Sequence, residues 1–151
     1  MRARCSTPGN QTGVAERPIL LDTGVVVALI NRRDPDHVRC AEAWATVRAP
    51  LVTVEGVLVE AAHLLRRAEG GPAAAVGLLR AAGAEVAVPT HARYDRALAL
   101  MHKYRDVPMD LVDALLVALA EERSAPDVLT LDRRGFSAYR ISGRGRFRIL
   151  P

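Results

Sequence analysis

Apolar residues recur along this chain in two rhythms, short unbroken runs and helical repeats, and the places where one gives way to the other predict its elements. Ile19, Leu20 and Leu21, opened by Pro18 and closed by Asp22, form the kind of run carried by a strand buried on both faces of a parallel sheet. Gly24–Asn31 reads as a short helix capped by the Asp22-Thr23 corner, and Asp36–Arg48 as a second, with Val38, Ala41 and Ala45 on its apolar face. Trp44 within it is read as a packing residue rather than a platform for stacked bases. A second strand falls at 50–53 (PLVT). Val54–Ala68 then repeats Val57, Leu58, Ala61, Leu64 and Leu65 at helical spacing and is stopped by Gly70-Gly71-Pro72. Further on come a helix over Ala73–Ala82, a strand over Glu85–Val88, a helix over His91–Tyr104, and a loop from Pro108. The last elements are a helix over Asp110–Arg123, a fourth strand at 127–131 (DVLTL) and a fifth at 147–150 (FRIL). Strands alternating with helices predict an α/β domain on a mainly parallel sheet.

Length and composition sharpen this picture. A chain of 151 residues, half of them hydrophobic, has material for one compact domain with a substantial core. Residues 18–151 are expected to form it. Residues 1–17 are small, polar and broken by Pro8, Gly9 and Gly13, and are expected to be a disordered extension. Cys5 and Cys40 make no metal-like or disulfide framework, no apolar stretch is long enough to cross a bilayer, and the N-terminus lacks the apolar block of a signal peptide. A cytoplasmic protein is expected. The formal charge of +4 is unevenly spread. From Leu131 onward six arginines stand against Asp132 alone, whereas residues 18–130 carry a net −3. An acidic middle with a basic end suits a site that holds cations beside a rim that attracts a polyanion; a solvated arginine-rich surface is the plainer reading.

Four acids give that middle its chemistry. Asp22 ends the first apolar run, Asp132 follows the fourth strand, and Glu60 and Asp113 lie inside the apolar helical segments TVEGVLVEAAHLL and MDLVDALLVALAE. A carboxylate at such a position is costly to desolvate unless something pairs with it, so four together imply a shared cation. In an open parallel sheet the ligand crevice lies beyond the C-terminal ends of the strands, where Asp22 and Asp132 would meet if their strands are neighbours. Each acid also has a structural reading: Asp22 as a helix cap, Glu60 as a solvated helix residue, Asp132 as a turn residue. Asp110 and Asp113 form D-x-x-D, in which Asp110 suits the N-cap and Asp113, followed by ALLVALA, suits the site.

The segments ILLDTGVVVALIN, TVEGVLVEAAHLL, PMDLVDALLVALAEE and VLTLDRRGFSAYR, in this order, resemble the PIN-domain nucleases and in particular the VapC-type toxins of bacterial toxin-antitoxin pairs. The resemblance runs from about Pro18 to the end. It implies a three-layer α/β/α domain with a mostly parallel five-stranded sheet, and it makes Asp22, Glu60, Asp113 and Asp132 the four acids of the site. Thr23 matches the hydroxyl residue after the first acid and Thr130 the one two places before the last. Asp110, a fifth acid on the same helix face as Asp113, departs from the pattern. The resemblance further implies Mg²⁺ or Mn²⁺, cleavage of RNA, homodimers, and inhibition by a cognate antitoxin. A PIN-like RNA-processing or RNA-binding protein that is not a toxin is the alternative.

Oxygen-only donors agree with a hard cation, since His37, His63, His91 and His102 are scattered and form no cluster with cysteine. In this reading Asp22, Asp113 and Asp132 hold the metal, Glu60 orients the attacking water, and Arg133 and Arg134 grip the RNA backbone. Two other classes fit less well. A receiver domain needs a lysine at a late strand end, and the only lysine, Lys103, lies in a helix; a haloacid-dehalogenase-like phosphatase wants an acid where Gly24 stands.

Overall fold

A computed structural model describes residues 16–68, 70–142 and 145–151, so the extension expected over 1–17 falls almost wholly outside the described residues. Its frame is a five-stranded parallel sheet. The strands are β1 (Ile19–Leu21), β2 (Leu51–Val54), β3 (Glu85–Ala87), β4 (Asp127–Leu129) and, last in the chain, β7 (Arg148–Leu150), arranged β3-β2-β1-β4-β7. A small antiparallel hairpin, β5 (Arg140–Ile141) with β6 (Gly145–Arg146), precedes β7. The sequence pattern contains the five sheet strands but not this hairpin, whose strands of two residues are too short to show a period. β1 and β2 are buried along their whole length, as expected of strands covered on both faces.

Seven helices cover the sheet among the described residues: α1 (Thr23–Ile30), α2 (His37–Thr46), α3 (Glu55–Leu64), α4 (Gly71–Ala81), α5 (His91–Lys103), α6 (Leu111–Arg123) and α7 (Arg133–Ala138). α6 is the central one. Seven successive residues, Ala114–Ala120, are buried, so this helix is apolar all round rather than on one stripe. Gly56 lets α3 come close to it: a Cβ there would stand 3.1 Å from Val112 Cγ2.

Two helices differ from the expected pattern. α2 does not bury Val38, which is 65% exposed, nor Ala45; it turns Cys40, Ala43, Trp44 and Val47 inward. The apolar stripe is thus offset from the one expected, and Trp44 does pack against the core. α3 ends at Leu64 rather than continuing to Ala68, and Leu65–Arg67 tighten into a 3₁₀ turn. Leu65 stays inside, only 1% exposed and in line with Val57 and Ala61 at four-residue intervals, whereas Leu64 is 55% exposed. Leu65→Ala should therefore cost about 3 kcal/mol of unfolding free energy and Leu64→Ala less than about 0.5 kcal/mol, measured by urea denaturation. Equal losses would contradict this placement.

Candidate active site

β1 and β4 are hydrogen-bonded neighbours, and from β1 the chain runs to β2 on one side and finally to β4 on the other. The sheet order reverses here, so the crevice beyond these strand ends is where a parallel sheet places its ligands. Asp22 sits at its floor, only 8% exposed. Its backbone N–H donates to Leu129 O at 3.0 Å, extending the β1–β4 ladder by one bond. The side chain caps α1, Oδ1 accepting from the Thr23 N–H at 2.7 Å, while Oδ2 accepts from the Thr130 hydroxyl at 2.6 Å. Capping and site readings of Asp22 therefore coexist.

Two threonines join the acids. The Thr130 hydroxyl that donates to Asp22 also accepts the Asp132 backbone N–H at 2.9 Å, and so fixes the two acids relative to each other. Thr130 is itself held by its N–H on Leu150 O at 2.8 Å, across to β7. On the other flank the Thr23 hydroxyl donates to Glu60 Oε2 at 2.7 Å and ties the first turn of α1 to α3. Thr53, one strand over, donates its buried hydroxyl to Leu21 O at 2.6 Å. Small hydroxyl residues suit these positions because each can donate and accept within a single buried spot.

Asp110 is the N-cap of α6, its Oδ1 accepting from the Asp113 N–H at 2.8 Å, which is the structural role the D-x-x-D spacing suggested. Asp113 lies in the first turn of α6, half-buried. Burial raises its pKa first, and the negative charges of Asp110, Asp22 and Asp132 raise it further, to about 7. Asp22 is also raised, by burial first, against the lowering effect of its hydrogen bonds from Thr130 and Thr23, with Glu60 and Asp110 adding repulsion. Asp110, Asp22 and Asp132 thus act on one carboxyl, and Glu60 acts on Asp22.

Asp132 is not a plain turn residue. It caps α7, a helix absent from the sequence reading, with Oδ1 accepting from the Gly135 N–H at 2.9 Å. A Cβ on Gly135 would run into Asp132 Oδ2 and come within 2.9 Å of the Tyr139 hydroxyl. Tyr139, fully buried, was overlooked by the sequence reading. Its hydroxyl donates to Pro108 O at 2.7 Å and lies 3.3 Å from Asp113 Oδ2. Burial, reinforced by Asp113 and Asp132, pushes its pKa up, so it remains a donor. The available signal was the spacing D-x-x-G-x-x-x-Y, an N-cap and its glycine with a tyrosine one turn beyond. Arg133 and Arg134 lie exposed at the start of α7, Arg133 donating to Pro151 O.

The donor set is carboxylate oxygen with a marked excess of negative charge, which suits a hard divalent cation. Among the described residues, however, no three carboxylate, imidazole or thiol groups converge closely enough to enclose an ion as they stand. The hydrogen bonds show why: both oxygens of Asp22 and one of Asp132 face protein donors, and mutual repulsion favours that arrangement.

A PIN domain family model matches residues 19–141. Ribonuclease VapC26 of Mycobacterium tuberculosis is 33% identical over 135 residues, covering 88% of this chain and all of that protein. In fold, the chain is similar to the crystal structure of Mycobacterium tuberculosis VapC20, described as a sarcin-ricin loop cleaving toxin, with a TM-score of 0.74 at 22% identity over 88% of this chain and 99% of the other. A toxin-antitoxin complex from Klebsiella pneumoniae gives a TM-score of 0.62 at 16% identity, covering 80% and 91% of the two chains.

The raised pKa of Asp113 has a thermodynamic consequence for the metal-free protein. The folded state holds this proton more tightly than the unfolded chain, whose carboxyl titrates near 3.8, so stability falls as pH rises from about 4 to about 7 and then levels off. Asp113→Asn removes that loss. Above pH 7 it should stabilise the metal-free protein by on the order of 2 kcal/mol, allowing for solvent screening, and below pH 4 it should give no gain. Thermal melts in EDTA across this range measure it, and a pH-independent difference would remove Asp113 from the shared field.

Proposed function

This chain belongs to the PIN domain family, and from that premise we propose that it is a divalent-metal-dependent endoribonuclease, the toxin of a toxin-antitoxin pair. What supports the chemistry is the placing of Asp22 and Asp132 on one threonine hydroxyl at the β1–β4 switch point, with Glu60 tied to Thr23 beside them and the pKa of Asp113 raised to about 7 by burial and by the charges of Asp110, Asp22 and Asp132. Such a site suits Mg²⁺ or Mn²⁺, with Asp22, Asp113 and Asp132 as the residues that would hold it. A bound ion supplies positive charge against the phosphate and acidifies water in the crevice.

The chain's own residues do the rest. Thr130 orients Asp22 and positions Asp132, Thr23 holds the Glu60 carboxylate at the rim, and Glu60 is placed to orient water and accept its proton. Tyr139 steadies Asp113 from below, while Asp110 keeps the first turn of α6 in register. Arg133 and Arg134, next to Asp132 in the chain and exposed, are placed to meet RNA phosphates. The VapC-type relatives support a protein antitoxin as partner. We place the activity in the cytoplasm and in the segment 18–151; no helix among the described residues is long and apolar enough to cross a membrane.

A homodimer is the proposed form. Val59, Tyr94, Leu111 and Val112 line an apolar cavity of about 530 Å³ between α3, α5 and α6, and Val59, Tyr94 and Leu111 are exposed, which is the character of a surface a second copy would cover.

Purified protein should cleave RNA with Mg²⁺ or Mn²⁺, stop on addition of EDTA and recover on restoring the metal. Glu60→Gln, which can still accept from Thr23, should keep its melting temperature and lose on the order of 10²-fold or more in turnover. Full turnover in that variant would sink the assignment. Light scattering after gel filtration should show Tyr94→Arg moving the protein from dimer to monomer; an unchanged mass would place the interface elsewhere.

A further inference from the structure

The arginines of this protein fall into distinct groups. Arg39, Arg93, Arg96, Arg123 and Arg148 are paired with carboxylates. Arg48, Arg66 and Arg140 donate to backbone carbonyls at or near helix ends. Others do neither, and of these Arg32, Arg33 and Arg67 share one cleft. Among the described residues the guanidinium groups of these three have no hydrogen-bond or carboxylate partner, and all three are exposed. They also converge. Arg32 and Arg33 from the end of α1 and Arg67 from the 3₁₀ turn line one polar cleft of about 930 Å³, with Asn31, Ile30 and Leu64. Three arginines around one hollow, with no carboxylate paired to them among the described residues, concentrate positive charge where an anion would be attracted.

The position of the cleft identifies that anion. Thr23 and Glu60, bonded at the crevice, lie on the seam between α1 and α3. Leu64 follows Glu60 by four residues and Ile30 follows Thr23 by seven, so both return to the same helix faces, about 6 Å and about 10 Å further along the axes. The acids and the arginines therefore occupy successive stations on one seam, a few nucleotides apart. A carboxylate site and a guanidinium site along one track suit a chain that carries a phosphate at each repeat.

We propose that Arg32, Arg33 and Arg67 form a phosphate-binding subsite for the RNA strand beyond the scissile bond, a reading that rests on the ribonuclease function above. The planar forks of arginine match phosphate oxygens in pairs, and no aromatic side chain lines the cleft, so it grips backbone rather than bases. Binding there is independent of sequence and strongly salt-dependent.

The test is RNA binding in the full chain, metal-free, with an Asp113→Asn background so that nothing is cleaved. Fluorescence anisotropy of a labelled single-stranded RNA against salt should give a slope shallower by about 2 for Arg32→Gln/Arg33→Gln/Arg67→Gln, since each single-strand phosphate contact contributes about 0.7. Glutamine keeps the side-chain bulk; should the triple variant fail to fold, each single variant should lose about 0.7 of slope on its own. In the metal-loaded protein with Asp113 intact, the triple variant should raise KM for long RNA and leave kcat for an RNA of a few nucleotides unchanged. An unchanged slope overturns the subsite, and does so equally if the triple variant has instead lost affinity for polyglutamate, which would mark a docking face for an acidic protein. If the wild type cleaves no RNA yet its binding slope still depends on these arginines, the ribonuclease reading fails and the subsite stands.

Discussion

A carboxylate buried at the end of the first strand is the constraint on which the rest of this molecule depends. Asp22 has almost no access to water, so its two oxygens must be satisfied from within, and the donors come from opposite directions: the backbone of α1 and the hydroxyl of Thr130. The second donor decides the topology of the site. Thr130 can reach Asp22 only if β4 lies beside β1, and it can then also accept the Asp132 N–H, which brings the fourth acid to the same crevice. A hydrogen bond needed for stability thus does the positioning for the chemistry.

The same crevice works against the stability of the metal-free fold. Asp110, Asp22 and Asp132 all press on Asp113, and that repulsion is not answered by any arginine, although the protein has twenty. Several carboxylates elsewhere are neutralised in pairs, Glu121 by Arg96 and Glu122 by Arg93 among them. Among the described residues no arginine is paired with an acid of the crevice, which leaves the negative field there unneutralised, at the expense of the metal-free state. A side chain that relieved Asp113 would stabilise the metal-free protein.

Much of this was legible in the sequence because the signals were local. Short apolar runs located the five sheet strands, two of them closed by Asp22 and Asp132, and D-x-x-D separated the capping Asp110 from Asp113 through the apolar run behind the latter. What stayed hidden depended on distance in the chain or on subtle geometry. Tyr139 stands between Phe136 and Phe147 in an arginine-rich tail, and nothing nearby in the chain shows that it ends beside Asp113, 26 residues away. α7 has only six residues, too few for a period, and the hairpin strands are shorter still. On α2 Val38 marks one face as apolar while the buried side follows Cys40, Ala43, Trp44 and Val47; in a helix that mixes charged and apolar residues evenly, single residues decide the stripe. At α3 the helical repeat continued in sequence past the point where the backbone tightened, and Leu64 was carried outward.

The hydrogen bond between Thr130 and Asp22 spans 108 residues, and this has a bearing on the time at which the site exists. Helices α1 to α6 can form and begin to pack as the chain lengthens, but the crevice has no wall on its β4 side until residues 127–132 arrive, and β4 in turn gains its outer neighbour only with β7 at the very end. Pairings this distant close late, after local structure is in place. During synthesis Asp132 is therefore apart from Asp22 and Glu60 until β4 has emerged. An enzyme that attacks RNA thus gains the Asp132 side of its site only once β4 has emerged, and the messenger and ribosome that make it meet an incomplete site before then.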